Sequence, residues 1–450
     1  METNNQTMVT TNACKLCTPL GACLVFRGIE GGFPFLHGSQ GCATYIRRYL
    51  ISHFKEPMDI ASSSITESST IFGGSTSLHT GLDNVCRQYQ PKLIGIATTC
   101  LSETIGDDVA AYIKQYQMKA EGRNLPVIIH VATPSYNGTH MDGFHDAVAA
   151  TVSALAGDSP KNGQVNLFPG FVSPADLRHI KEIFNDFQVD FVMLPDYSDT
   201  IDGPVWDQYQ RLPGGGTTIP QIQSMGGSQA SIEFGRTLVS KTTAGDGLKN
   251  RFQITHHKIG LPIGVQETDA FLTLLKEISG RALPEKYRLE RGRLIDSYVD
   301  GHKYMFQKRA VIYGEEDLVI GLTAFLAETG IVPVLCASGG ESGYLATAIK
   351  KVAPDLSPQI MVRQGVDFME ISELAAELKP DIIIGNSKGY PLARNLGIPM
   401  VRLGFPIHDR LGGQRILHLG YRGAQQLYDL IANALIAQKQ SRSPVGYSYM

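Results

Sequence analysis

Short runs of Val, Ile and Leu recur along the chain, each followed by a turn and then by apolar residues spaced three and four apart. An uninterrupted apolar run predicts a strand buried on both faces, and the helical period predicts the helix that covers it. KLIGIATTC (92–100) and LPVIIHVATPS (125–135) read as two such strands, with helices predicted over 102–117 and 143–156. Strand–turn–helix repetition gives α/β units with doubly wound, mostly parallel sheets, which bind ligands beyond the carboxyl ends of their strands. Cys100 and Ser135 fall at two such ends.

The same alternation restarts twice. QVNLFPGFV (164–172) is a predicted strand, followed by a helix over 173–187 with Ser173 as N-cap and Pro174 in its first turn. VDFVMLPD (189–196) is the next strand, 214–235 reads as a loop followed by a helical pattern, and 256–280 as strand, loop and helix. KRAVIYGEEDLVIGLTAFLAETG (308–330) opens a third unit as strand, turn and a helix closed by Gly330. IVPVLCASGG, PDIIIGNSKG and IPMVRLGFP supply its other strands, GAQQLYDLIANALIAQ its last helix, and SRSPVGYSYM a loose tail. The pattern predicts three sequential α/β domains over 1–160, 161–300 and 301–450, with linkers near 158–164 and 281–307, the second largely helical.

Composition narrows the class. A chain of 450 residues is too long for one core, and 43% hydrophobic with 18% charged residues is a globular balance. A net charge of −3 without a basic run argues against nucleic acid as a partner. No apolar stretch has the roughly 18–20 residues of a membrane span. METNNQTMVTTNACK is polar and lacks the apolar centre of a signal peptide, so a cytoplasmic protein is expected. Its seven cysteines are then reduced thiols or metal ligands rather than a disulfide framework.

Three of them, Cys17 in LCTPLGA, Cys42 in HGSQGC and Cys100 in TTCLSETIGDD, lie beside turns rich in Gly, Ser, Thr or Pro and far apart in sequence. Any one alone reads as a small buried hydrophobe. Together, on converging loops, they form a candidate thiolate set for an iron–sulfur cluster. Three thiols do not complete a four-iron site within one chain, which points to a cluster shared with a partner. Ser135 is a turn residue in isolation and a conceivable oxygen ligand beside Cys100. Cys14, Cys23, Cys86 and Cys336 read as non-ligands. His37 is placed to orient the HGSQGC turn, and Arg47, Arg48 and His53 fall on a predicted helix surface. In IFGGS (71–75) the two glycines make a tight turn that can leave Phe72 exposed. No phosphate-binding glycine motif, catalytic triad or acid–base pair is evident.

HGSQGC, TTCLSETIGDD, TPSYNGTH and the closing GFPIHDRLGG…GYRG resemble the β-type side of the nitrogenase component 1 family over about residues 12–436. The resemblance implies three Rossmann-like domains and pairing with an α-type subunit (NifE- or NifD-like) in an α2β2 heterotetramer. It also implies docking of an ATP-dependent iron protein (NifH-like) and a cluster at the αβ interface, either [4Fe-4S] or a P-cluster-like [8Fe-7S]. An iron–molybdenum cofactor, or its precursor, would be held mainly by the partner. By resemblance Cys17, Cys42 and Cys100 match β-side cluster ligands, Ser135 the auxiliary serine, and Phe72 a phenylalanine on the iron-protein docking face. Two branches compete. PDIIIGNSKGYPLARNLGIPMVRLGFP and ISGRALPEKYRLERGRLID look like the NifN-type scaffold on which the cofactor matures, which is the favoured expectation. Cys17 and Cys100 depart from that pattern, in which only the cysteine matching Cys42 is typical, and favour a catalytic NifK-like β subunit instead. A metal-free small-molecule-binding protein is a third expectation.

Overall fold

A computed structural model describes residues 13–445. The polar stretch 1–12, and the last five residues of the tail expected to be loose, lie outside the described residues. Three parallel sheets follow one another along the chain. The first holds β1 (Gly32–His37), β2 (Ala61–Ser62), β3 (Leu93–Thr98) and β4 (Val127–Val131) in the order β2-β1-β3-β4. The second holds β5 (Val165–Phe168), β6 (Phe191–Met193), β7 (Ala230–Phe234) and β8 (Thr255–Ile259) in the order β6-β5-β7-β8. The third adds β9 (Arg309–Tyr313), β10 (Val332–Ala337), β11 (Met361–Arg363), β12 (Ile382–Gly385) and β13 (Met400–Arg402) in the order β11-β10-β9-β12-β13. β1, β3, β10 and β12 are buried along their whole length, as parallel strands covered by helices on both faces must be.

The structure departs from the sequence pattern at two places. The helix expected over 102–117 is broken into Cys100–Thr104 and Val109–Lys119, because Gly106 takes a left-handed φ of 76° and Asp108 caps the second piece. The helical pattern over 214–235 is confined to Ile219–Ser224, and ASIEF behind it is the interior strand β7. Glu233 disguised that strand: it is buried, yet it pairs with His256 at 2.9 Å and accepts a hydrogen bond from Thr243 at 2.5 Å.

Two close approaches place the N-terminal segment. The Thr18–Arg27 helix lies against the His140–Leu155 helix so tightly that a Cβ on Gly21 would stand 1.8 Å from the His140 carbonyl oxygen, and one on Gly143 2.0 Å from that of Thr18. Ahead of it, Ala13 bridges to Asp367, and Lys388 Nζ donates to the Ala13 carbonyl at 2.9 Å.

A buried carboxylate ties the second sheet's first helix, Pro174–Asp186, to the entry of the C-terminal helix, Gly420–Ser441. Asp176 Oδ1 accepts the backbone N–H groups of His418 and Leu419, and Oδ2 lies 2.9 Å from His418 Nδ1. Burial alone would raise this carboxyl, but His418 and the donated hydrogen bonds together outweigh it and hold the pKa below the usual aspartate value. Replacing Asp176 by Ala removes one partner of a buried pair and orphans two amides, so a loss of about 3–5 kcal/mol at neutral pH is expected in denaturant unfolding. Because the folded pKa is the lower one, the contribution is complete above the unfolded value of about 3.9 and disappears as pH falls through the folded value. The gap between wild type and Asp176→Ala therefore narrows in acid.

Candidate metal centre

In the first sheet the chain moves from β1 outward to β2, then returns to the other side of β1 to form β3 and β4, so the winding reverses between β1 and β3. The carboxyl ends of β1 and β3 lie side by side, with His37 opposite Thr98. That switch point is where an open α/β sheet leaves a crevice. After β1, Ser39 caps the Gln40–Phe54 helix and Cys42 stands in its first turn. After β3, Thr99 caps the Cys100–Thr104 helix, with Thr99 and Ser102 forming a capping box. The Thr99 N–H and the Ser102 hydroxyl both donate to the His37 carbonyl, at 3.1 and 2.7 Å, so the two ends are fastened together. Gly38 is required here: its Cβ would stand 2.0 Å from Thr99 Oγ1.

The turn after β4 joins them. Thr133 is bonded to Thr98 through both its N–H, at 2.8 Å, and its hydroxyl, at 2.6 Å. Ser135, at the start of the Ser135–Asn137 turn, donates its N–H to Cys100 Sγ at 3.2 Å and accepts from the Thr18 N–H at 3.2 Å. Cys17 is the N-cap of the Thr18–Arg27 helix, and the Ser135 side chain lies close to its thiol. Desolvation raises the Cys17 thiol, although the residue keeps open surface. Ser135 pulls it back, while the Cys42 and Cys100 sulfurs push it up further. Ser39 Oγ, as donor, lies 3.7 Å from Cys42 Sγ.

Cys17, Cys42, Cys100 and Ser135 thus come from four separate turns into one neighbourhood. The thiols sit on helix N-termini rather than in the loops expected from sequence: Cys17 is exposed, and Cys42 and Cys100 are half-buried. A helix N-terminus presents N–H groups with no intrahelical partner, which face the space these sulfurs border. Among the described residues no three His, Cys, Asp or Glu side chains converge to hold a single metal ion. Sulfur donors on separate helix ends, with one side open, suit instead a polynuclear iron–sulfur group completed from outside the chain.

The remaining cysteines sort as expected, except that Cys86 is only half-buried. Burial pushes Cys14 and Cys336 up to about 12 and raises Cys23 as well, so all three are held as neutral thiols. His53 is not on the helix surface; it is buried, its Nδ1 accepts from the Ile407 N–H at 2.9 Å, and desolvation lowers its pKa to about 3. His37 orients the turn through its carbonyl, while its ring goes to Asp107. Phe72 is 88% exposed. A cavity of about 510 Å³ lies at the carboxyl ends of strands beside Lys241, His140 and Glu315 to Asp317, and none of the three clustered thiols lines it.

The architecture and the thiol-bearing switch point define a class, and comparison bears it out. The pattern of the family described as nitrogenase component 1 type oxidoreductase matches residues 17–436, and the chain belongs to that family. It is a β-type subunit. It is 36% identical over 430 residues to the nitrogenase molybdenum-iron protein beta chain of Clostridium pasteurianum, covering 94% of this chain and 93% of the relative. It is also 36% identical over 443 residues to the nitrogenase vanadium-iron protein beta chain of Trichormus variabilis, covering 95% and 94%. A solved chain described as nitrogenase Cp1 at pH 6.5 superposes with a TM-score of 0.96 at 33% identity, covering 100% of this chain and 98% of that one. A second, described as nitrogenase Cp1 at pH 5, gives 0.71 at 16% identity, covering 99% and 93%, which speaks to the fold alone.

Gly38→Ala is expected to force the β1 and β3 ends apart, at a cost of about 1–3 kcal/mol in chemical denaturation. The Cys42 and Cys100 thiols of that variant should react faster than wild type with an alkylating reagent.

Proposed function

We propose that this chain holds an iron–sulfur cluster at the face it shares with an α-type subunit, as the β subunit of a nitrogenase-like reductase. Cys17, Cys42 and Cys100 are the ligands in this reading and Ser135 the auxiliary oxygen. Such a cluster supplies one-electron transfer when bound. The observation that carries the reading is the gathering of all three thiols with Ser135: the Ser135 N–H already reaches Cys100, and the Ser135 hydroxyl accepts the N–H of Thr18, the residue after Cys17. The open side at Cys17 leaves room for donors from the partner. Relatives named as molybdenum- and vanadium-iron β chains support the same reading.

The partner set follows from it: an α-type subunit in an α2β2 assembly, with a molybdenum–iron cofactor or precursor held mainly on the α side, and an ATP-dependent iron protein docking near Phe72. Among the described residues no helix is long and apolar enough to cross a membrane. The three sheets are read as three domains divided near 160 and 300, with the Glu285–Met305 helix as the second connection. The NifN-type scaffold is the second reading; the C-terminal motifs favour it, whereas Cys17 and Cys100 are ligands such a scaffold does not need.

The test is iron content and EPR of the anaerobically purified αβ complex, with substrate reduction assayed alongside iron protein and ATP. An eight-iron signal with turnover is the expected result. A four-iron site without turnover, and transfer of a cofactor to an empty component 1, would select the scaffold. Colourless, iron-free complex would leave only a metal-free binding protein. Cys42→Ala should remove most of the interfacial iron while the α and β chains still co-purify; unchanged iron would refute its ligand role.

A further inference from the structure

The IFGGS turn, the Cys42 turn and the Cys100 turn meet at one buried pair of side chains. His37 closes β1 and is fully buried; its Nε2 lies 2.9 Å from Asp107 Oδ2, and the Asp107 side chain is itself only 3% exposed. The other carboxylate oxygen accepts the Gly74 N–H at 3.0 Å and the Tyr112 hydroxyl at 3.0 Å. The two glycines are dictated by this contact. Gly73 takes a φ of 87°, which favours glycine, and a Cβ on Gly74 would stand 2.5 Å from Asp107 Oδ2 and 2.7 Å from His37 Cε1. The turn thus rests directly on the pair, and its outer end carries Ile71 and Phe72, 76% and 88% exposed.

On the inner side the same two residues reach both thiol turns. The His37 carbonyl receives Thr99 and Ser102, which cap the helix beginning at Cys100. His37 leads through Gly38, packed on Thr99, into Ser39 and the first turn bearing Cys42. Asp107 also donates its own N–H to the Ser102 carbonyl at 3.1 Å. A buried carboxylate is retained only where its partners compensate its desolvation, and here every partner lies on one of the connected segments or on the helix packed against them. His37 Nδ1 has no hydrogen-bond partner, so the imidazole is fastened on its Asp107 side alone. A push on the Phe72–Gly74 turn is therefore delivered to Asp107, and through His37 and Ser102 to the turns of Cys42 and Cys100.

We infer that Asp107 and His37 are a positioning pair that couples docking at Ile71 and Phe72 to the arrangement of the Cys42 and Cys100 thiols. This rests on the reading that an iron protein docks at Phe72 and that these thiols hold a cluster. It adds the device by which the one is felt by the other.

Hydrogen exchange on the assembled complex, with the iron protein held in place by a non-hydrolysable ATP analogue, tests it. Docking should slow amide exchange in 67–74 and, in wild type, also in 38–42 and 99–104. Asp107→Asn keeps the shape of the side chain but removes its charge; it should retain the slowing in 67–74 and lose it in 99–104, with iron content unchanged. In the same variant, reduction driven by iron protein and ATP should fall about tenfold, the consequence of weakening a charge-assisted hydrogen bond, while reduction by a small low-potential reductant is unaffected. His37→Gln should give the same pattern and serves if the Asp107 variant does not assemble. Slowing at 99–104 that survives both substitutions, or an equal loss with both reductants, would overturn the coupling. Wild-type protection confined to 67–74 would overturn the coupling and leave the docking site standing. No protection at 67–74 would overturn both.

Discussion

Parallel strand pairing decides where this chain can do chemistry. A parallel strand must be followed by a crossover, and a helical crossover begins at the strand's carboxyl end with N–H groups that no intrahelical partner satisfies. In the first sheet β1 and β3 end next to each other, so two helix N-termini are forced into one place. The Thr18–Arg27 helix adds a third because Gly21 and Gly143 let it lie against the His140–Leu155 helix at backbone contact. Cys42, Cys100 and Cys17 occupy those three N-termini. The site follows from topology and two glycines, and the cysteines exploit it.

The rest of the chain is joined by a related device. Asp176 accepts the amides of residues 418 and 419, Asp317 those of 236 and 237, Glu328 those of 265 and 266, and Asp107 that of Gly74. Each is a carboxylate satisfied by backbone N–H groups of a segment remote in sequence. Such a joint gains from a charge-assisted acceptor and fixes geometry, but it fails completely when the carboxylate is removed. Apolar packing alone tolerates sliding among neighbours of similar volume, whereas these joints define one register between the sheets. Of the four, the Asp107 joint lies against the thiol turns, holding the Gly74 turn beside the helix that begins at Cys100.

Much of this was legible from sequence, for a definite reason. Strands such as KLIGIATTC and IVPVLCA are continuous apolar runs because both faces are covered, and Ser173, Pro174 and Gly330 mark helix ends by local chemistry that needs no tertiary information. The three thiols and Ser135 were also readable, as residues beside turns, with Cys100 and Ser135 at strand ends. What was missed depends on distant partners. ASIEF carries a glutamate whose burial is compensated by His256 and Thr243, and nothing local announces that. His53 looked like a surface residue, but the Ile407 amide it accepts comes from a segment far along the chain. Asp107 offered only a weak signal, a Gly-Asp-Asp step that interrupts a helical period, and its partners Gly74 and His37 lie on other elements.

The fold itself cannot decide between an electron-carrying subunit and an assembly scaffold. The architecture is kept in a chain only 16% identical, with a TM-score of 0.71 over nearly the whole length, so it tolerates replacement of most side chains. Function must be argued from the residues that the fold brings together. Cys42 serves either role, since one thiolate at a helix N-terminus suffices to anchor one edge of a small cluster. In the proposed reading Cys17 and Cys100 discriminate, because each stands on its own helix end, the Ser135 N–H reaches Cys100 and the Ser135 hydroxyl accepts from Thr18 next to Cys17, and together they enlarge the donor set beyond what a single anchoring edge requires. A chain relieved of that requirement could replace them with any small residue at little cost to packing, Cys17 being exposed and Cys100 only half-buried. The core does not explain their presence at these two positions, and in the proposed reading a ligand does.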